Sequence, residues 1–270
     1  MKKIFILMGF LGILFIGKAQ DKGLRKTDGE FNTSSNNPNF VRFNFLALLA
    51  GKVSIEYERL LSERIGLGVS LSVKPKSDLT FKSTIIDIVN DQELNTLMNN
   101  FKTSSTSITP ELRIYFSNRG HARGFYMAPF LQYSNFKFDV PYDFDVYVES
   151  NGEVYFERQE QISLQGNMHA YTAGISLGFN FRLSKNMYLD WRIFGPSYGM
   201  TTGNLKGNMF LDSDEQKGLD IGLRSLKSSL HDLPLKIEMD YSVDHNGASL
   251  DVRKSPWAGI RSGLSIAYKF

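Results

Sequence analysis

The sequence contains no cysteine, which excludes disulfide cross-links, thiolate metal sites and a lipid-modified N-terminal cysteine. Histidine is scarce: His121, His169, His231 and His245 are the only four in 270 residues, so the side chain most used for general acid–base chemistry has few places to act. Beyond the first twenty positions, no run approaches the roughly 18 consecutive apolar residues that a membrane-crossing helix requires. Clustered positive charge is also missing. The formal net charge is +3, and Lys2, Lys3 and Lys18 fall within the first 19 residues, which hold no acid, so 3 − 3 = 0 leaves the remainder neutral. A neutral chain offers no electrostatic footprint for nucleic acid.

What is present begins with Lys2 and Lys3, an apolar stretch from Ile4 to Ile16, and Gly17-Lys18-Ala19, the order of parts in a secretory signal peptide. Roughly thirteen residues rising ~1.5 Å each fall short of a ~30 Å hydrocarbon core, so residues 1–19 are expected to be a cleaved leader rather than an anchor. Residues 20–39 are polar, rich in Asn and Ser and without periodicity, and are expected to form a flexible tail.

From Val41 onward the period is two. In the clearest early segment, Ile65, Leu67, Val69, Leu71 and Val73 alternate with Gly66, Gly68, Ser70 and Ser72. The longest places Tyr171, Ala173, Ile175, Leu177, Phe179, Phe181 and Leu183 against Thr172, Gly174, Ser176, Gly178, Asn180 and Arg182, enough residues to cross a membrane as a tilted strand. Eight such segments are expected, at 41–47, 53–58, 65–73, 108–116, 125–134, 171–183, 187–193 and 260–270. Pro110 and Pro129 argue against the fourth and fifth, because proline cannot donate to a sheet ladder. Connectors at 62–64, 117–124 and 184–186 are short, and those at 74–106, 139–168 and 195–258 are long. This alternation, broken only by the short first connector around Ala50-Gly51-Lys52, matches outer-membrane barrels, with short periplasmic turns and long outer loops. The fold expected for residues 40–270 is therefore all-β: an eight-stranded antiparallel transmembrane β-barrel whose long extracellular loops carry short helices and a hairpin.

The helices are expected from Ile85 to Phe101 and from Leu219 to Leu230, where apolar residues fall at helical spacing. The hairpin is expected where 237–243 and 248–252 flank Asn246-Gly247. Its entry into the sheet would make ten strands, whereas Glu238, Asp240 and Asp244 favour a place above the membrane.

The charged side chains share the inward parity: Arg42, Glu56, Glu58, Glu111, Arg113, Arg182, Asp190, Arg192, Arg261 and Lys269. A soluble lipocalin-like barrel would place charge on the other face. Inside a bore just wide enough for its own side chains these ions should pair, giving a salt-bridged plug; a narrow polar path is the alternative. His169, with Ser163 or Asp139, is the one candidate for an outer-rim catalytic site of the kind found in lipid A deacylases and omptin-like proteases, and no spacing singles it out. Asp139, Asp143, Asp145, Glu149 and Glu153 match no calcium loop and read as the solvated face of strands extending past the membrane, which the alternation of Tyr142, Phe144, Tyr147, Tyr155 and Phe156 supports. Neither cofactor nor metal is expected.

The segment NFLALLAGKVSIEYERLLSERIGLGVSLSV, the segment PELRIYFS and the ending PWAGIRSGLSIAYKF resemble the Bacteroidota outer-membrane β-barrel proteins of unknown function, small barrels of the OmpA/OmpX kind. The resemblance rests on Asn44, Tyr57-Glu58-Arg59 and Pro110-Glu111-Leu112-Arg113. It implies the outer membrane as the location, and Tyr268 and Phe270 as the signal read by the barrel-assembly machinery. Outer-membrane lipid and lipopolysaccharide are the expected partners, together with a larger outer-membrane complex. The expected role is structural, surface-binding or accessory, without catalysis; an outer-rim lipid- or peptide-modifying enzyme and a small-solute pore are the alternatives.

Overall fold

A computed structural model describes residues 38–78, 101–117, 122–150, 153–232 and 236–270. The expected leader, all but the end of the expected tail, the helix expected from Ile85 and His121 lie outside these residues. Among the described residues there are eleven strands, all paired antiparallel: β1 (Asn39–Asn44), β2 (Val53–Leu60), β3 (Ile65–Asp78), β4 (Lys102–Tyr115), β5 (Gly124–Ser150), β6 (Glu153–Arg182), β7 (Met187–Phe194), β8 (Pro196–Asn208), β9 (Met239–Asp244), β10 (Gly247–Ile260) and β11 (Gly263–Lys269). One helix, α1, spans Ser213–His231.

Eight of the strands close on themselves in the order β1-β2-β3-β4-β5-β6-β7-β11, with β11 pairing back to β1. These are the eight alternating segments of the sequence. Closure removes the sheet edges that would otherwise expose unpaired backbone groups. The prolines are accommodated locally. Around Pro110 and Pro129 the β4–β5 register is kept, but it is bridged only at Ile108↔Tyr133, Glu111↔Phe130 and Ile114↔Met127. The first strand is shorter than its alternation suggests: after Asn44 the chain winds into a 3-10 turn over Leu46–Ala50, where Ala47 N–H donates to Asn44 Oδ1 at 3.2 Å and Gly51 takes φ 65°. A left-handed residue at that position favours glycine.

The remaining strands depart in part from the sequence reading. β5 and β6 run on as a pair to Ser150↔Glu153, with a register shift after Val146, as the alternation from Tyr142 to Phe156 suggests, but the long loop expected at 195–258 holds β8, α1, β9 and most of β10. Ile260 closes β10 rather than opening the last strand. No expected segment corresponds to β8. It pairs with the upper half of β6, from Gly174↔Ser197 to Gln165↔Lys206, while the lower half of β6 pairs with β7. Its glycines permit that approach: a Cβ on Gly199 would stand 1.9 Å from Tyr171 O, and one on Gly203 2.3 Å from Asn167 O. The Asn246-Gly247 hairpin forms, and β10 joins β8 outside the ring, so the ring keeps eight strands.

Above the ring, β5, β6, β8, β10 and β9 thus form an open sheet, and α1 covers one face of it. The helix starts at a capping box. Asp212 Oδ1 accepts from Asp214 N–H at 2.9 Å and Glu215 N–H at 2.8 Å, while Glu215 Oε2 accepts from Asp212 N–H at 2.8 Å. These bonds satisfy donors a helix start leaves orphaned. Gly218 lets the helix lie close on β5, since a Cβ there would meet Asp145 O at 2.3 Å. Leu219, Leu223 and Leu226 then pack on Tyr142, Phe144, Ile162, Leu164 and Leu250 in a core of ordinary soluble type.

The faces of the long strands change character partway along. In the ring portion of β6, Tyr171, Ile175, Leu177, Phe179 and Phe181 point outward and are exposed, while Thr172, Ser176 and Asn180 are buried inside. Further up the same strand, with parity unbroken, Gln161, Ser163, Gln165 and Asn167 are exposed, and Ile162, Leu164, Met168 and Ala170 are buried against α1 or the sheet. On β5 only the outward face changes, from exposed Leu131 in the ring to exposed Lys137 above it, while the inward parity carries buried Ala128 and Phe130 in the ring and Val140, Tyr142, Phe144 and Val146 under α1. On the outward face the ring portion is apolar and the upper sheet polar.

Candidate functional site in the ring interior

The ring interior is filled from the short-turn end upward. At that end Phe40, Leu60, Tyr115, Ala122, Tyr126, Tyr188 and Ala267 form a buried apolar cluster, with Phe40 and Tyr188 edge to face at 5.2 Å. Directly on it sits a charge network. Alternation brings one or two members from each of β1, β2, β4 and β7, and the interior is made roomy by glycine: a Cβ on Gly66 would fall 1.9 Å from Glu58 Oε1.

Arg113 is the hub. Its guanidinium bonds Glu56 Oε1 at 2.5 Å, Glu111 Oε1 at 2.6 Å and Asp190, and lies 4.6 Å from the Tyr126 ring centroid. Arg42 bonds Glu58 and contacts Glu56 Oε1 at 3.1 Å. Arg192 Nη2 bridges Glu56 Oε2 and Glu111 Oε1, each at 2.9 Å. Arg261 Nη1 reaches Glu111 Oε2 at 3.0 Å. The tyrosines satisfy remaining acceptors, Tyr115 donating to Glu58 Oε1 at 3.0 Å and Tyr126 to Asp190 Oδ1 at 2.9 Å. Sequence reasoning did not single out these two hydroxyls, although both lie on the inward parity.

Four arginines thus meet four carboxylates, and the network is electrically balanced. All but Arg261 are nearly fully buried. Balance matters because an unpaired buried ion costs several kcal/mol, on the order of the stability of a small domain.

Two of the ten charged residues expected inside do not join. Arg182 is exposed at the rim, where its Nε donates to Ser184 O at 2.8 Å. Lys269, half-buried, makes no ion pair among the described residues. Both lie near strand ends, where inward parity no longer means an enclosed interior. Tyr268 and Phe270 are exposed on the outer face with their rings stacked at 6.4 Å. Backbone bonds between Phe270 and Asn39 tie that end into the ring.

The residues considered for an outer-rim site do not converge. His169 Nδ1 lies 2.9 Å from the Tyr133 hydroxyl, whereas Ser163 donates to Asp139 Oδ1 at 3.2 Å. Asp139 is also bonded by Lys76, and that bond leads the causes holding its carboxyl below the usual carboxylate range. Asp143 and Asp145 are partnered by Gln161 and Gln159 on the solvated face of the sheet.

A family model matches residues 32–199, a span that contains seven of the eight ring strands. The chain belongs to the DUF3575 family. Its description is "Protein of unknown function", so membership assigns no activity. No curated protein matches the chain. Among solved structures it is similar to a major outer membrane protein from Thermus thermophilus, at 12% identity and TM-score 0.33, covering 86% of this chain and 98% of that one. It is also similar to the outer membrane protease OmpT from Escherichia coli, at 8% identity and TM-score 0.32, covering 87% and 93%. A FadL homologue from Pseudomonas aeruginosa is similar at 8% identity and TM-score 0.24, covering 86% and 89%.

Proposed function

We propose that this DUF3575 protein is an integral β-barrel of a bacterial outer membrane, of small OmpA/OmpX-like size and Bacteroidota type, with a folded lobe standing outside the bilayer. One observation carries this reading: the change of the outward face from apolar to polar at Tyr133 and Tyr171, which face each other in register. A single strand that is apolar outside below that level and polar outside above it fits two different surrounding media. The dimensions agree. From Tyr171 to Phe181, ten steps of ~3.3 Å give about 33 Å of strand, which at ~40° tilt rises about 25 Å, the height of the apolar band in such barrels.

The role is structural, surface-binding or as an accessory subunit of a larger envelope complex, without catalysis. The balanced plug and the aromatic cluster beneath it support a ring without throughput. The ordered sheet and helix above support presentation of a surface. Lipid and lipopolysaccharide would contact the band, and the barrel-assembly machinery would read Tyr268 and Phe270.

Because the chain has no cysteine, each introduced thiol is unique. In intact cells, a membrane-impermeant maleimide is expected to label Ser163→Cys and not Ile175→Cys, and a lipophilic reagent the reverse. Equal aqueous labelling of both, or release of the protein from membranes without detergent, would remove the basis for the proposal.

A further inference from the structure

Above the charge network the ring interior is not filled. A cavity of about 440 Å³ opens beside the β1–β2 connection and the break between β10 and β11, within the size range of small-ligand sites. One side of its wall is hydroxyl and amide, from Ser54, Ser70, Ser72, Thr109 and Gln132 on four consecutive strands, and the side formed by the β1–β2 connection is apolar, with Leu46 and Leu49. Its charged groups are all cationic. Arg192 and Arg261 form the floor, and Lys52 stands at the edge.

The count of charges gives this cup its character. The four arginines of the network are matched by its four carboxylates, so Lys52 adds a positive charge with no counterpart. Among the described residues, the one charged group acting on it is another cation, Arg261. Burial first, and then that guanidinium, lower the Lys52 ammonium below the usual lysine range. The charge of an anion seated between the two would oppose both effects by favouring the ammonium form.

The floor is held in place. Arg261 lies 4.5 Å from the Phe130 ring centroid and donates to Ser70 Oγ at 3.1 Å and to Glu111 Oε2 at 3.0 Å. Ser72 donates to Ser54 Oγ at 2.9 Å. Positioned donors of this kind bind an oxyanion without first having to be ordered.

We propose that this cup binds a small ligand bearing a carboxylate or phosphate on a hydroxylated body, of sugar-acid or sugar-phosphate size. The oxyanion sits between Lys52 and Arg261, and the ligand hydroxyls face the serine and threonine wall. The inference does not depend on the surrounding medium.

The test is calorimetric titration of the full-length protein in detergent, at constant ionic strength, with inorganic phosphate, glucuronate and glucose. Saturable binding of phosphate and glucuronate, with none of glucose, is expected. Lys52→Gln should weaken both by about tenfold or more, the usual effect of losing a charge-assisted bond. Ser72→Leu, which fills the cup and leaves the cations in place, should abolish glucuronate binding. Heat-shifted gel mobility checks that each variant is folded. Absence of anion binding to the folded wild type, glucose binding as tight as glucuronate, wild-type glucuronate affinity in either folded variant, or wild-type phosphate affinity in folded Lys52→Gln would overturn the assignment.

Discussion

The Tyr133 hydroxyl lies 2.9 Å from Nδ1 of His169, and the two rings are nearly parallel, 8° apart. Tyr133 also packs on Tyr171, with ring centroids 5.1 Å apart. These residues stand where the outward face of β5 and β6 turns from apolar to polar. An aromatic body with a polar tip suits such a boundary, because one end can stay dry while the other is wet. His169 therefore reads as part of a belt at the boundary, bonded to a neighbour of the same belt.

The level of that belt sets how position should govern the cost of a charge. Ile175→Arg, within the apolar band, is expected to destabilise the folded protein in lipid vesicles by about 2–4 kcal/mol, and Asn167→Arg, above the belt, by about 0–1 kcal/mol. Equilibrium unfolding in denaturant from vesicles measures both. Equal costs would place the two positions in the same medium.

Removing the hub of the ring interior should be severe. Arg113→Met leaves Glu56, Glu111 and Asp190 short of a partner and is expected to cost about 3–5 kcal/mol, as when one member of a buried pair is lost. Arg182→Met, by contrast, should stay within about 0.5 kcal/mol, because the side chain is exposed and bonds one carbonyl. The same vesicle unfolding experiment compares them.

The lobe above the ring has its own core and should respond separately. Leu223 is fully buried under α1, and Leu223→Ala is expected to cost about 2–5 kcal/mol of local stability. Hydrogen exchange should quicken in α1 and in the upper halves of β5 and β6. Protection in β2, β3 and β11 should be unchanged.

Acid should loosen the start of α1. Bonds from the backbone of Glu215 first, and then Asp214, hold the Asp212 carboxyl below the usual carboxylate range. A carboxyl depressed by folding contributes its stabilisation in full above its unfolded value and loses it as pH falls through the folded value. Helicity of the lobe, followed by circular dichroism, is expected to hold down to about pH 4 and then to decline. Asp212→Ala should lose the pH-dependent part of that decline.

Much of this architecture is legible in the order of residues, because a strand in a closed ring has only two faces and its side chains alternate strictly between them. The run Ile65, Leu67, Val69, Leu71, Val73 declares an outward face, and the same alternation within their own strands assigns Arg42, Glu56, Glu58, Glu111 and Arg113 to the interior. Parity says nothing about height. Arg182 and Lys269 share the inward parity, yet they sit at the rim, and only the register of neighbouring strands puts the interior charges at one level.

The upper sheet is harder to read for a related reason. Alternation continues through β5 and β6 without a break in spacing, but the outward face turns from apolar to polar. A segment such as Asp139 to Asp145 is therefore legible as strand with a solvated face, but nothing in it shows that a helix covers its apolar parity. In β8, with Gly199, Gly203 and Gly207, small residues replace the apolar signal, because what that strand needs is close backbone approach to β6. The cup is equally hidden, since it is bounded by single hydroxyls from four strands and by Lys52 in a turn.

Local alternation was therefore sufficient to mark eight segments and the side each of their residues faces, since these follow from the two-residue repeat, whereas it left open whether the Asn246-Gly247 hairpin entered the ring to make ten strands. Tertiary structure decided which charges meet, where the outward face turns from apolar to polar along the ring and where the interior is left open, because all three depend on the relative heights of strands distant in sequence.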